Sequence, residues 1–288
     1  FWHTHDSMAY INEVLGIPLR PYQYEGGVRF DPHGLNGDDN SHYNTGSGEM
    51  AFGEGCVDDS EDGDVIRHEL GHGIHDWITN GGLSNIIDGL SEGFGDYWAH
   101  SYSRSLGHWQ PDTEEYHWVF NWDGHNECWG GRITNYELPW PVGITPYPAI
   151  HGGGQIFSTC MMQVYDVLGR AATDTIVLEG LAMTTTISSQ NDAANAIWQA
   201  AADLGFAAED LDYLNTQLSS CGYIMAAPLG IELPPPLSPD PAGPPQSPSR
   251  GDSSAASSTA GGALGGLWLL LPGLLSARRR PRSARGAA

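Results

Sequence analysis

The sequence predicts an α+β body from three observations. Residues 22–55 are rich in Gly and turn residues between short alternating runs, residues 58–103 hold two stretches with apolar positions at helical spacing, and residues 155–218 hold four more. The first element is a helix over residues 2–15, where Met8, Ile11, Val14 and Leu15 share a face and Gly16 and Pro18 stop it. Val28-Arg29-Phe30 and Glu49-Met50-Ala51-Phe52 read as short strands. The acidic run from Asp58 to Asp64 precedes Val65, Ile66, Leu70 and Ile74, and carboxylates there favour the positive end of a helix dipole. It also reads as an ordinary solvated turn. A second helix is expected from residue 90 to about residue 103. Residues 104–150 then read as aromatic, Gly- and Pro-rich loops, whose tryptophans either pack that region or line a groove. Helices over residues 155–168, 173–187, 192–204 and 209–218 make the second half mainly helical.

Length and composition bound the function. A chain of 288 residues with 40% hydrophobic content can bury one large domain or two lobes around a shared cleft. The chain contains no Lys, and six of its Arg lie beyond residue 249, so residues 1–249 hold six Arg against thirty-four acids, a net of −28. Such a body repels nucleic acid and suits an extracellular setting with calcium available. Cys56, Cys128, Cys160 and Cys221 form no CxxC pair. They leave open two disulfides in any of three pairings, or buried thiols. The chain opens at Phe1 without an initiator Met or an apolar leader run, so an export signal or pro-segment is expected outside it.

Four segments follow. Residues 1–60 form the N-terminal β-rich part, 61–226 a helical lobe, 227–262 a Pro-, Ser- and Gly-rich linker unable to bury a core, and 263–288 an apolar run closed by an Arg cluster. The run from Ala263 to Leu275 is shorter than the ~20 residues a spanning helix needs. Gly261-Gly262, this run and Arg278-Arg279-Arg280-Pro281-Arg282 resemble the C-terminal sorting tails of bacterial surface proteins. That resemblance implies a body exported from a bacterial cell, secreted or held at its surface, with a tail that engages membrane and sorting machinery.

The chemistry-bearing residues cluster in two expected helices. His68-Glu69-Leu70-Gly71-His72 spaces two imidazoles by four residues, which puts them one turn apart on one face, where both can reach a single metal ion. Glu69 stands beside them as a general base. Twenty residues after His72, Glu92 offers a third ligand on the next helix, and two His with one Glu suit catalytic zinc. Asp96, one turn further, can orient a ligating His through its other ring nitrogen.

With Glu92 and Asp96, His68-Glu69-x-x-His72 resembles the gluzincin zinc metallopeptidases, specifically the thermolysin-like and fungalysin-like families. Asn40-Ser41-His42-Tyr43 followed by Glu49 to Gly53 is similar to their edge strand, and residues 192–222 resemble their terminal helices. The likeness covers residues 1–225 and implies a two-lobe zincin fold. It also implies a β-rich N-terminal lobe, of which only part is expected within residues 1–60, with a mainly α-helical C-terminal lobe and the zinc helix between them. It implies a monomeric endopeptidase acting on protein or peptide substrates. Glu69 would take a proton from the attacking water and pass it to the leaving amine, and His151 would stabilise the oxyanion. Arg132 would bind a substrate carbonyl, Asn40 the peptide backbone, and Asp64 calcium. The resemblance also implies an apolar pocket beyond the scissile bond, which a single sequence does not place.

Pro146 stands where the family orients its transition-state His with an Asp, and Leu83 where it has a Tyr. No run of calcium carboxylates follows Asp96. Two alternatives stay open: a zinc aminopeptidase of the same clan, whose Gly-x-Met-Glu-Asn motif is missing, and a surface binding module built on a structural metal.

Overall fold

The computed structural model describes residues 1–84, 88–144 and 150–226, all within one structural unit. The linker expected over 227–262, the apolar and Arg-rich segment over 263–288, and Pro146 lie outside the described residues. The architecture is mixed α+β with few strands. Helix α1 (Trp2–Ala9) widens into one π-helical stretch (Tyr10–Val14). Strands β1 (Arg29–Asp31), β2 (Ser41–Asn44) and β3 (Glu49–Phe52) follow, then helices α2 (Gly63–Ile78) and α3 (Leu90–Ser105). A two-residue ribbon, β4 (Trp118–Val119) and β5 (Arg132–Ile133), precedes α4 (Ile150–Leu168), α5 (Arg170–Leu181), α6 (Gln190–Asp203) and α7 (Ala208–Ser220).

The three-stranded sheet has the order β1-β3-β2, with β1 parallel and β2 antiparallel to the central strand. Alternation on β3 sends Met50 and Phe52 into the core, which seats the sheet against α2. The residues before Asp59 are thus less rich in strand than their turn-dense sequence suggests. A helical segment over residues 2–14 precedes the three short strands.

Helix α2 is the central post. Asp62 caps it, its side chain accepting from the Asp64 N–H at 2.7 Å, so this acid satisfies an orphan donor of the first turn. Asp59, Asp62 and Asp64 are all buried, which corrects the reading of the acidic run as a solvated turn. Leu70 and Ile74 are fully buried, and so is Arg67. The Arg67 guanidinium bonds Asp6 at 2.8 Å and lies 3.4 Å from the centre of the Tyr102 ring, fastening α1 and α3 to the post.

Helices α2 and α3 approach closely because glycine faces glycine. A Cβ on Gly71 would stand 2.8 Å from the Gly95 Cα, and one on Gly95 would stand 2.6 Å from His68 Nδ1. On the other side of α3, a Cβ on Gly93 would meet the Gly154 carbonyl oxygen of α4 at 2.5 Å. The same need for close packing explains why α4 begins at Ile150, ahead of the expected residue 155. A Cβ on Gly153 would stand 2.6 Å from the Asp88 carbonyl oxygen, so these glycines serve contact within a helix they would otherwise weaken.

Helix α5 runs earlier than expected, from Arg170 to Leu181 instead of 173–187. The Thr184 hydroxyl turns back to the Leu181 carbonyl at 2.7 Å, and the Ser188 hydroxyl accepts from the Thr185 N–H, so β-hydroxyl side chains close the end of the helix. Asp174 of α5 is fully buried and accepts from Tyr97 at 2.6 Å, Ser101 at 2.9 Å and Tyr10 at 2.9 Å. The cysteines pair as Cys56–Cys128 and Cys160–Cys221, with Cα separations of 6.4 and 6.0 Å. No helix among the described residues is long and apolar enough to cross a membrane.

Gly95→Ala is expected to destabilise the chain by about 1–3 kcal/mol, because a methyl group forced into a filled crossing displaces the His68 ring. Gly152→Ala, with nothing within 4 Å of its added Cβ, is expected to be neutral or mildly stabilising. Urea unfolding followed by tryptophan fluorescence compares the two, and equal stability would show that the crossing tolerates a side chain.

Candidate metal centre

The crossing of α2 and α3 places His68, Glu69 and His72 opposite Ser91, Glu92 and Asp96. His68 Nε2 lies 3.1 Å from His72 Nε2 and 3.3 Å from Glu92 Oε2, and His72 Nε2 lies 3.8 Å from Glu92 Oε1. One ligand atom from each of His68, His72 and Glu92 falls within 4.8 Å of the other two. Ligands at the usual 2.0–2.1 Å around a tetrahedral ion stand about 3.3 Å apart, so these donors could hold one divalent metal ion.

The opposite ring nitrogens are engaged. His68 Nδ1 lies 2.9 Å from Asp96 Oδ1, and His72 Nδ1 lies 2.7 Å from the Ser91 hydroxyl. With Nδ1–H donating to oxygen in both rings, both Nε2 lone pairs face the same point. Sequence reasoning placed Asp96 here and missed Ser91, whose position directly before Glu92 was the available signal.

Arg132 reaches the site from β5. Its Nε–H is shared between both oxygens of Asp96 at 2.8 and 2.9 Å, and Nη2 stands 3.3 and 3.4 Å from the two His68 ring nitrogens. The guanidinium also lies 4.5 Å from the centre of the Phe120 ring. The Gln155 side chain of α4 accepts from the Ile133 N–H at 2.9 Å and so steadies this strand. Arg132 is therefore held by Asp96 while lining the cleft, a pairing that spacing alone did not suggest.

His151, at the second position of α4, sets Nε2 3.2 Å from Glu92 Oε2, with its side chain 55% exposed. Asn40 lies at the edge of β2 and lines the same cavity of about 800 Å³, as do Glu69, Arg132, His151 and Leu83. Asp64 stands apart from this cluster. One of its oxygens accepts from the Ser103 hydroxyl and the other from the Phe120 N–H at 3.1 Å, holding Phe120 at φ 66 beside the His68 ring. Burial next to Asp62 pushes the Asp64 carboxyl up to about 7.

Electrostatics differ among neighbouring groups. Burial pushes Glu69 up to about 7, and its Oε2 is buried without a hydrogen-bond partner. Burial likewise works to raise Glu92, but His72 and His68 outweigh it and hold the carboxyl below the usual carboxylate range. His72 is pushed down to about 4 by burial, against the pull of Glu92, and stays neutral near pH 7. For His68 burial works downward, yet hydrogen bonds to Asp96 and Glu92 carry it up to about 9. His75, buried on another face of α2, is pushed down to about 3 by burial. It packs against Phe94 and lies outside the cluster.

Compared with models of known protein families and with curated proteins, the chain matches none.

In the metal-free protein, His68 is expected to keep its proton until about pH 9, above its ordinary 6.5. The stability gained from that pairing is then complete below 6.5 and lost as pH rises through 9. Asp96→Asn should lower the titration, and metal uptake, which must displace the proton, should strengthen as pH rises toward 9. Imidazole NMR titration checks this, with a His68 midpoint near 6.5 in the unsubstituted chain as the contrary result.

Proposed function

We propose that this chain is a secreted zinc metalloendopeptidase of the gluzincin kind, with a two-lobe zincin arrangement around its cleft. The observation that carries the reading is the meeting of His68 Nε2, His72 Nε2 and the Glu92 carboxylate beside Glu69, whose buried oxygen has no hydrogen-bond partner. Two imidazoles and one carboxylate are the donor set of catalytic zinc, and three protein ligands are its count, where structural zinc takes four. The motif resemblance supports the same class, and the export implied by the tail residues places its protein or peptide substrates outside the cell.

Bound there, zinc supplies Lewis acidity that polarises a peptide carbonyl and makes a water molecule acidic near neutral pH. Glu69 takes the proton of the attacking water. A carboxylate pushed up to about 7 by burial is matched to that task near neutrality, able to accept the proton and to release it to the leaving amine nitrogen. His151, exposed at the mouth of the cleft and 3.2 Å from Glu92, donates a hydrogen bond to the developing oxyanion. Asp96 holds His68 and Arg132 together, so the ring that faces the metal and the guanidinium that faces the substrate carbonyl share one anchor. Asn40, at the end of β2, takes the substrate backbone as an added strand.

Glu69→Gln removes the base while keeping the side-chain volume. The variant is expected to retain one zinc per chain and to lose casein hydrolysis by roughly 10²–10⁴-fold, the usual worth of a positioned general base. Zinc content by mass spectrometry and the rate of hydrolysis by the full chain test this together. Equal rates in the two proteins would sink the mechanism, and absence of zinc from both would favour a binding module.

A further inference from the structure

The cleft that holds His68, His72 and Glu92 has a second polar wall. Asp39, Asp59 and Asp123 line it, and one carboxylate oxygen from each falls within 4.8 Å of the other two. Asp59 and Asp123 are 3% and 4% exposed. Asp59 Oδ2 accepts from the Ser41 hydroxyl at 2.5 Å, and Asp123 Oδ2 accepts from the Trp129 indole N–H at 2.9 Å. The remaining oxygen of each, Oδ1, is buried with no hydrogen-bond partner.

Asp59 and Asp123 bring like charges together out of water beside the exposed Asp39, and nothing in the group neutralises them. Burial pushes Asp59 up to about 6, with Asp123 and Asp39 adding to the shift, and it raises Asp123 as well. Among the described residues lining this cavity, Arg132 is the one permanent cation, and Asp96 holds it. The fold nevertheless ties the carboxylates in place. The Asp123 N–H donates to Asp62 at 2.8 Å, and the Cys56–Cys128 disulfide joins the segment before Asp59 to the segment after Asp123. A costly arrangement that is rigidly supported is suited to a cation arriving from outside.

The neighbouring walls decide which cation. Val65, Phe120 and Trp129 line the same cavity with side chains that offer no oxygen ligand, Trp129 in contact with Asp123, and the Ser41 hydroxyl is already taken by Asp59, whereas a hard metal ion asks for six or more oxygens. An apolar wall ending in carboxylates matches an aliphatic stem with a charged head. The wall is also close to the chemistry, since Asp59 and Glu69 line the same cavity. We infer that Asp39, Asp59 and Asp123 form a cation subsite that takes the arginine or lysine side chain of a peptide substrate next to its scissile bond. This subsite rests on the peptidase reading for its substrate, and on its own geometry for its preference.

The test uses the zinc-loaded full chain and peptides that differ only in the residues flanking one bond: Arg, Lys, Leu or Asp. The unsubstituted chain is expected to cleave the Arg and Lys peptides with kcat/KM about tenfold or more above Leu, as a charge-assisted contact implies. Asp59→Asn with Asp123→Asn, shown to be folded by circular dichroism, should bring that ratio close to one. Binding of Nα-acetyl-arginine amide, followed by tryptophan fluorescence, reads the subsite without turnover and should weaken by about tenfold in the double variant. Equal Kd values for the arginine amide in the two proteins would overturn the subsite. So would cleavage with no basic preference, or a second equivalent of divalent metal that the double variant loses. If the arginine amide binds as expected while no peptide is cut, the subsite stands and the peptidase reading fails.

Discussion

The site depends on one steric condition: two helices must come within glycine distance of each other. Gly71 on α2 and Gly95 on α3 supply it, with a Cβ at either position meeting the partner helix or the His68 ring inside 3 Å. Only at that separation does an imidazole of one helix stand against a carboxylate of the next. Gly93 and Gly154 repeat the arrangement between α3 and α4 and bring His151 to Glu92. Both glycines of α3 flank Phe94, which is fully buried, so this helix fills the core with one side chain while yielding space on two sides.

That closeness concentrates charge where water is scarce. His68, Glu69, Glu92, Asp96 and Arg132 are all poorly exposed, and each burial would be unfavourable alone. Mutual pairing offsets much of it: Asp96 bonds both His68 and Arg132, and Glu92 faces three imidazoles. Glu69 is the exception, a carboxylate raised by burial without a bonded partner for Oε2. Buried groups left in such a state cluster where chemistry is done, because reactivity needs an unsatisfied base. The acidic wall of Asp39, Asp59 and Asp123 has the same character and is tied down by backbone bonds and a disulfide. The motif resemblance led to an expectation of apolar substrate contacts. The cleft carries carboxylates among its apolar residues, and their side-chain chemistry is what marks this chain off from that expectation.

Much of the fold was legible because helices are local. The periodicity of Val65, Ile66, Leu70 and Ile74, and that of the segments ending near Leu168, Asp203 and Ser220, depends on neighbours within one turn. Those elements appear within a few residues of where spacing puts them. The misses have local causes that composition hides. The glycines that open α4 looked like a loop until the contacts of Gly153 with Asp88 and of Gly154 with α3 gave two of them a packing role, and a hydroxyl turning back on its own backbone ended α5 early. Asp58 to Asp64 looked solvated, yet three of its acids are buried: Asp62 and Asp64 accept from residues around 120, some sixty positions away, and Asp59 accepts from Ser41.

By itself the sequence determined the helix that carries His68, Glu69 and His72 and the facing helix with Glu92 and Asp96, since an i, i+4 spacing settles which side chains share a face. Only the tertiary structure decided that Cys56 pairs with Cys128 and Cys160 with Cys221, that Ser91 serves His72, that Arg132 is held by Asp96, and that three separate aspartates converge on one wall. The reason is physical: each of these meetings joins residues on different elements. Their separation is set by how closely helices and loops pack, a property that no single stretch of chain contains.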